Sequence, residues 1–581
     1  MFDISESNLT EEIISAISWR KRHLAELEDQ VKKYHGGAYI DDAGMGAGQG
    51  TDPENYAFSY ISLVLPRLAH DVPRVQVEAQ GEAALDDTAK MIEMAMNTWA
   101  TRSNLRRTIE RIAVDMLFSY GVAMVTPVPN TSMRRIEPAH GGKLPRVYRI
   151  SPDKFVIDPS ATDLSDARYV GHQYVIDHDD LIEQGKASSY FDDQKVADLV
   201  TGDDETGTYD SQAGRNTPNR KQVIVTELWI PDGELPEEFQ DGFHHGVIIR
   251  IASSGNDYYT VISEPEPFYG PPSGPYALVG AYTVPGDCYP LGVMTASQGL
   301  TDELNSHLKS MNSSAGAYRR LVLVDSRGTK LAQDIASTPD LHVVPVENID
   351  RDRVVPIEIG GVTQQQLQYT SMTQDRLDRL TGLNEVIRGL VTGDATATEV
   401  QTAASSSGLR ISWLQRCFAE SIDNLMYVAG WYMYHGGEVE IGLGAESAVA
   451  FGSRLTFVGG SFGEDYDSYS IKVSTYSLER SSEALQQKRA LELLQLVMQV
   501  GEAVPAMPHV RWDRLLEMVG DQMNMPALRD IISAPKASQQ PAPPNAAGAG
   551  GVPIGSADLG GLTGQAMSGM SPGNGRASVG R

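Results

Sequence analysis

The chain has 581 residues, too many for one hydrophobic core, so several domains are expected. Hydrophobic residues make up 41% and charged residues 21%, which is typical of a globular protein. The net charge of −28 argues against a main surface that clamps nucleic acid, although it allows a surface past which DNA slides. Two cysteines, Cys288 and Cys417, exclude a disulfide framework and a cysteine-rich metal site.

Secretion and membrane insertion are not expected. The acidic N-terminus lacks a basic-then-apolar signal pattern, and no run approaches about 18 apolar residues. These features indicate a reducing, cytoplasmic setting and no membrane partner.

Helical periodicity governs the first 120 residues. Asn8, with Glu11 three residues later, predicts the cap of one helix that ends at Gly36. A glycine-rich linker over 41–51 lacks the lysine of a phosphate loop. Further helices are predicted over 55–66, 85–99 and 105–117.

Strand patterns begin at Gly121 and predict a mixed α+β region. The predicted strands are 121–128, 145–150, 155–159, 167–176, 223–230, 244–251 and 258–262. The segment 201–219 is predicted to be a loop. The segment 265–292, rich in Pro, Gly and Tyr, is predicted to be an irregular connector.

Several motifs carry two interpretations. The acidic run 177–180 could bind a metal, but carboxylates that open a helix are favoured. His244 and His245 would face opposite sides of a strand, which is poor chelate geometry. The pattern G-x-S-x-G at 459–463 recurs in the tail and is attributed to chance. A row of arginines could contact phosphate, but a solvated or interface face is favoured. The row comprises Arg102, Arg106, Arg107 and Arg111.

Two helices with few apolar residues are predicted at 294–318 and from Thr363 to about Ile387, where they bracket a βαββ insert. Such helices should pack against neighbours or line a wet space. Thr396 and Glu399 have capping-box spacing, so they should start a long helix that runs to Tyr434 and spans roughly 57 Å. A kink is expected at 405–408.

Strands are expected at 439–443, 454–458 and 469–473, followed by helices from Ser481. The last 47 residues, from Pro535, are more than a third Pro plus Gly and should be disordered.

Short motifs along the chain together resemble the portal proteins, or head-to-tail connectors, of tailed bacteriophages with podovirus-like heads. They are N-Y-A-F-S-Y-I at 55–61, S-P-D-K-F-V-I-D-P with D-A-R-Y-V at 151–170, Y-P-L-G-V with L-T-D-E-L-N at 289–305, and T-G-L-N-E-V-I-R-G with T-A-T-E-V at 381–400. The resemblance spans about 50–530.

The resemblance implies an α+β multidomain portal fold and a ring oligomer, usually a dodecamer. Its parts would be an N-terminal wing (1–290), a first stem helix (291–318), a β-rich clip (319–361), a second stem helix (362–387), a tunnel loop (388–398), a long helix with the remaining wing (399–480), a helical crown (481–534) and the tail (535–581).

The same resemblance implies a function without catalysis, cofactor or bound metal. The ring would sit at the portal vertex of the virion capsid after assembly in the host cytoplasm. There it would pass double-stranded DNA and would meet the terminase large subunit, tail adaptors, and the major capsid and scaffolding proteins.

Candidate site residues fall into three groups. Those proposed to face DNA are Lys309, Arg376, Arg379 and Arg388. Those of the tunnel loop are Gly389, Thr392, Gly393, Asp394 and Thr396. Those of the clip are Arg319, Arg320, Arg327, Lys330, Arg351 and Arg353.

Two other classes of protein remain open from the residues alone. One is another virion structural protein, such as a tail adaptor, connector component or scaffold. The other is an intracellular enzyme with a site built from scattered carboxylates. Ring-shaped particles with a central hole would separate the connector from the enzyme.

Overall fold

The structure, a computed structural model, describes 2–25, 27–35, 55–80, 85–127, 144–187, 189–199, 222–236, 245–253, 259–316, 318–324, 354–359, 361–382, 397–436, 439–462 and 465–473. These residues lie in one unit, Met1–Ala534. Helices and strands are mixed along them, which confirms the α+β class. The predicted linker at 41–51, the loop at 201–219, the crown and the tail lie outside the described residues.

The helices are α1 Glu6–His23, α2 Leu27–His35, α3 Tyr56–Leu68, α4 Asp86–Arg102, α5 Leu105–Phe118, α6 His178–Ala187, α7 Asp193–Ala197, α8 Val293–Gly316, α9 Gln364–Thr381, α10 Ala397–His435 and α11 Gly444–Phe451.

The strands are β1 Val75–Ala79, β2 Gly121–Thr126, β3 Arg146–Ile150, β4 Phe155–Ile157, β5 Val170–Asp177, β6 Gln222–Ile230, β7 Val247–Ser253, β8 Tyr259–Val261, β9 Glu266–Pro267, β10 Tyr276–Val279, β11 Tyr282–Val284, β12 Asp287–Leu291, β13 Arg319–Val324, β14 Val354–Ile359, β15 Glu440–Gly442, β16 Thr456–Val458 and β17 Tyr469–Val473.

The single N-terminal helix expected from Asn8 to Gly36 is two helices, and Asn8 is not its cap. Ser5 holds the N-cap position of α1, and the Asn8 amide donates to the Asp3 carbonyl at 2.7 Å. The chain breaks between His23 and Leu27 because the two halves pack on different cores. The apolar face of α1 packs in a hydrophobic cluster with residues of β4, β6 and β7. Helix α2 packs in a different cluster, which is the largest of the described chain.

Helices α3, α4 and α5 lie close to their predicted positions. The Asn55 carboxamide oxygen caps α3 by accepting from the Phe58 amide at 3.0 Å. That helix continues through Pro66 to Leu68, two residues beyond the expected end. The apolar stripes of α4 and α5 are buried as predicted, including Ile92, Ala95, Met96, Trp99, Ile109, Ile112 and Met116.

The expected connector at 265–292 contains strands, so this prediction is wrong. Strand β10 pairs antiparallel with β2, which also pairs with β3, and β11 pairs with β12. Apolar residues between the Pro and Gly turns supply the buried positions, as at Tyr276 and Val279. Gly286, at φ +79°, forms the turn between β11 and β12. Strands β10, β11 and β12 are only three to five residues long, so the Pro- and Gly-rich composition of the segment gave no strand pattern from which to predict them.

The larger antiparallel sheet runs in the order β4-β5-β6-β7-β8, with β9 beside β7. Side chains alternate between its faces. Val223 and Val225 pack in the cluster that includes Leu181 of α6 and Val196 of α7. Leu228 and other residues of the opposite face pack against α1. The sheet is therefore covered on both faces.

The acidic run 177–180 opens α6, as favoured from the sequence. Asp179 and Asp180 lie in its first turn, and His178 is buried with its Nε2 2.8 Å from the Val196 carbonyl. Across the described residues, no group of three or more His, Cys, Asp or Glu could hold a metal ion.

The C-terminal part of the described chain returns to the start of the wing. Strand β17 pairs antiparallel with β1, with Val473 opposite Val75. The long helix is confirmed as α10, of 39 residues, and the expected kink at 405–408 stays a prediction. The strands β15, β16 and β17 match their predicted positions, whereas α11 was not expected.

A group of ion pairs around the buried Asp158 carboxylate links α1 to the large sheet. Burial alone would raise the pKa of Asp158, but hydrogen bonds from Arg168 and Ser160 hold that pKa at about 2. The Arg168 guanidinium lies 2.6 Å from Asp158 and 3.3 Å from Glu12 of α1. The carboxylate therefore stabilises the fold in its charged form.

We expect D158N to lower the free energy of unfolding by about 2 to 3 kcal/mol at pH 7, because the folded-state pKa lies below the unfolded value of about 3.9. This contribution is present above pH about 4 and is lost as the pH falls toward 2. The deficit of D158N against the original chain should therefore shrink over that window in urea unfolding. The exposed control D193N should stay close to the original chain, and a deficit that does not change with pH would contradict the ion-pair assignment.

Candidate functional site

Helices α8 and α9 form an antiparallel pair, which is the candidate stem. Side-chain hydrogen bonds join residues late in α8 to residues early in α9: Ser314 to Gln366 (3.5 Å), Met311 to Thr370 (3.1 Å) and Glu303 to Tyr369 (3.1 Å). The His307 and Tyr369 rings also meet edge to face at 4.7 Å. Both helices expected from the sequence are therefore present and in contact, and their assignment as a stem stays a prediction.

The base of α8 is embedded in the wing. Val293 and Met294 are buried, and the Thr295 hydroxyl donates to the Phe118 carbonyl at 2.7 Å. A side chain at Gly292 would come within 2.3 Å of that same carbonyl oxygen, so only glycine fits where the chain enters the helix.

Helix α2 holds the next turns of α8 through polar contacts. The Gln30 amide donates to Gln298 at 2.6 Å, and Lys33 lies 2.6 Å from Asp302. Burial lowers the pKa of Lys33, but bonds to Asp29 and Asp302 outweigh it and raise the pKa above the usual value. The lysine therefore stays charged and bridges the two helices.

Helix α9 is fixed at both ends. Thr363 and Gln366 form a capping box at its start, with the Thr363 amide donating to Gln366 at 2.9 Å. At its end Leu377 is fully buried, and the Thr381 hydroxyl lies 2.7 Å from the Tyr56 hydroxyl of α3. The candidate stem is thus anchored in the largest hydrophobic cluster through both helices.

The second stem helix ends earlier than predicted. Gly382, at φ +77°, terminates α9 at Thr381, so the end expected near Ile387 is wrong. The helix ends early because Gly382 adopts the left-handed conformation. The spacing of apolar residues gives no sign of such an end. The Arg410 guanidinium of α10 donates to the carbonyl of Leu380 at 2.7 Å and to that of Arg379. It thereby satisfies carbonyls that the helix end leaves without partners.

Helix α9 carries two parallel stripes of different exposure. One stripe is buried against its neighbours: Thr370, Thr373, Leu377 and Thr381. The other is exposed although partly apolar, with Tyr369 at 44%, Met372 at 43% and Leu380 at 45%. Arg376 lies in this exposed stripe at the same three- or four-residue spacing.

The long helix continues this exposed apolar character near the stem. Leu409 is 72% exposed and Trp413 is 49% exposed, whereas Leu414 and Phe418 are buried. Sequence reasoning found the buried stripe of α10 but missed Trp413 and Arg410. The signal available for Trp413 was that it falls off the apolar stripe.

The residues proposed to face DNA are exposed where the structure describes them. Lys309 lies on α8, and Arg376 and Arg379 lie on α9. Arg388 lies outside the described residues, as do the tunnel-loop residues Gly389, Thr392, Gly393, Asp394 and Thr396. The capping box proposed between Thr396 and Glu399 is likewise untested, although α10 begins at Ala397 as it requires.

The first and last strands of the proposed clip pair with each other. Strand β13 pairs antiparallel with β14, with Arg319 opposite Ile359 and Arg320 opposite Glu358. The expected helix and middle strand of the insert lie outside the described residues. So do the clip candidates Arg327, Lys330, Arg351 and Arg353.

The serine of the G-x-S-x-G pattern has a local structural use. The Ser461 hydroxyl donates to the Val458 carbonyl at 2.6 Å, a bond that closes its own turn. This contact supports the chance interpretation of the pattern.

The comparison with protein families gives one match, over part of the chain. Residues 72–231, which run from before β1 to the end of β6, match the family described as the phage SU10 portal protein. The match confirms the resemblance to tailed-phage portal proteins. It covers the wing helices α4 and α5 and much of the large sheet, and it does not extend to the stem. A search of curated proteins gives no match.

Membrane insertion was not expected for this portal-like chain. Within the described ranges, no helix combines the length and the apolar character that a membrane span requires.

The contact of Arg410 with the end of α9 can be tested directly. We expect R410A to weaken the last turn of α9 by about 1 kcal/mol, since each net hydrogen bond contributes on that order. Hydrogen exchange over 377–382 should accelerate by roughly fivefold. The matched control is R416A, which removes an exposed ion pair on the same helix and should leave that exchange unchanged. Equal exchange in R410A and the original chain would contradict the capping role.

Proposed function

We propose that the protein is the portal component of a tailed-phage virion, a ring at the capsid vertex that forms the channel for packaging and ejecting double-stranded DNA. The observation that carries the proposal is the portal-family match over 72–231. The antiparallel pair of α8 and α9, anchored in the wing, supports it because a channel wall needs a rigid helical element in each subunit.

Ring formation is supported by the exposed apolar surface of the stem. Tyr369, Met372 and Leu380 lie in one stripe, and Leu409 and Trp413 add to it on α10. Apolar patches of this kind mark interaction sites. A neighbouring copy that covered the stripe in each subunit would repeat the same heterologous contact until a ring closed, and a dodecamer is the copy number that the family resemblance implies.

The channel would hold DNA weakly. Lys309 and Arg379 are exposed bases on helices of an otherwise acidic chain, so phosphate contacts would be few and the polymer could move. Arg376 shares the apolar stripe, and it would meet a neighbouring subunit if that stripe is covered. The ring would be a passive conduit, and a separate terminase motor would supply the energy.

The clip would provide the docking site outside the capsid. Strands β13 and β14 extend from the far ends of α8 and α9, at the opposite end from the wing core. In our proposal this module binds the terminase large subunit during packaging and tail adaptors afterwards. The wing would meet the major capsid and scaffolding proteins, which places the protein in the virion after assembly in the host cytoplasm.

We expect M372D/L380D to lose the ring while the wing stays folded, because two carboxylates would be buried at the subunit contact. Size-exclusion chromatography with light scattering would give the mass of each species, and negative-stain images would show the hole. The control Q364D/S371D places two carboxylates on another exposed face of the same helix and should assemble. Rings of unchanged mass in M372D/L380D would refute the stripe as a contact.

Replacement of 319–361 by a short Gly-Ser linker should leave ring mass unchanged and abolish binding of the terminase large subunit. Because β13 pairs with β14 in the original chain, the two ends of the insert lie close together there, so a short linker can join α8 to α9 without moving either helix. Binding would be measured by co-sedimentation with purified rings. Deletion of 535–581 serves as the control and should retain binding. Terminase binding by rings without the insert would refute the clip assignment.

A further inference from the structure

The arginine row at the α4–α5 corner is an exposed basic surface on an acidic protein. Arg102 ends α4, and Arg106, Arg107 and Arg111 follow on α5. All four side chains are exposed, and none of them forms an ion pair with another residue in the described part of the chain. The segment 102–111 contains one carboxylate, Glu110. The opposite side of α5 is buried, with Ile109 and Ile112 fully enclosed.

The same wing carries an acidic surface on helices α6 and α7. The segment 177–198 contains seven carboxylates and two lysines. We call this surface the acidic layer. Its exposed acidic residues are Asp179, Glu183, Asp192, Asp193 and Asp198. Lys195 is occupied by Glu6 at 3.3 Å, so it does not neutralise the layer. The acidic layer covers one face of the large sheet. The arginine row lies mainly on α5, which packs against the three-stranded sheet of β10, β2 and β3.

We propose that the arginine row of one copy faces the acidic layer of α6 and α7 of the next copy. The proposal rests on the ring proposed above and names its electrostatic contact. Copies that each carry −28 repel one another, and opposite charges where neighbours meet would offset part of that repulsion. The two surfaces are complementary and lie on different elements of one chain, as a repeating heterologous contact requires.

A nucleic-acid partner for the row is the competing occupant. The copy-to-copy contact is favoured because the same chain carries the acidic layer, so each subunit of a ring would supply carboxylates for the row of its neighbour without a further partner. Arginine suits this role because its planar guanidinium binds carboxylates in pairs of parallel hydrogen bonds.

The test is a charge exchange in the full chain. R106E/R107E should weaken ring assembly by about tenfold or more in protein concentration, since like charges would then meet at the contact. E183K/D198K should do the same, and the fourfold variant carrying both changes should assemble again. Arg106 and Arg107 lie in the first turn of α5, where acidic substitutions favour the helix, so R106E/R107E should retain the fold. R106Q/R107Q gives an intermediate case without charge reversal.

Assembly would be followed by light scattering over a dilution series, with R454E/K472E as a control for the change in net charge. Restoration in the fourfold variant supports the contact. Normal rings from R106E/R107E, loss without restoration, or equal loss in the control would each overturn it. Rings that form normally but lose binding to a fluorescent 20-base-pair duplex would assign the row to phosphate instead. A monomeric original chain would refute the proposed ring as well, whereas intact original rings confine any failure to this inference.

Discussion

The entry of α8 into the wing core is the constraint on which the candidate stem depends. The backbone at Gly292 passes so close to the Phe118 carbonyl that no side chain fits between them. The Thr295 hydroxyl then binds that carbonyl, and Val293 and Met294 fill the core beside it. Because Phe118 ends α5, the direction of the stem is tied to the helices that carry the family match.

The second stem helix is tied to the same core by different means. Leu377 is buried and Thr381 binds Tyr56, so the end of α9 is fixed against α3. Gly382 then releases the chain, and Arg410 returns from α10 to cover the open carbonyls. The segment proposed as the tunnel loop thus follows a fixed helix end along the chain. A loop that adapts to a moving polymer would need such a fixed origin.

Sequence patterns predicted the elements whose burial is periodic. The apolar stripes of α4, α5 and α10 all face the same hydrophobic core, so the spacing of apolar residues was enough to locate these helices. The break after His23 was missed because the apolar pattern continues across it while the two halves face different cores. The strands in 265–292 and the end of α9 were missed for a related reason. Short pairings and a left-handed glycine are determined by tertiary contacts, which leave little periodic signal.

The candidate site can be predicted only in part from the sequence, because its function would depend on surfaces that a single chain leaves exposed. The few apolar residues of α9 indicated a helix that lacks its own core, and the structure divides them into a buried stripe and an exposed one. In the proposed ring, the packing of neighbouring copies would decide which exposed residues face a neighbour and which face the channel. Charge adds a second constraint of the same kind. If the arginine row joins neighbouring copies as proposed, its bases are unavailable to retain DNA. A loosely held polymer and a stable ring would then follow from one distribution of charge.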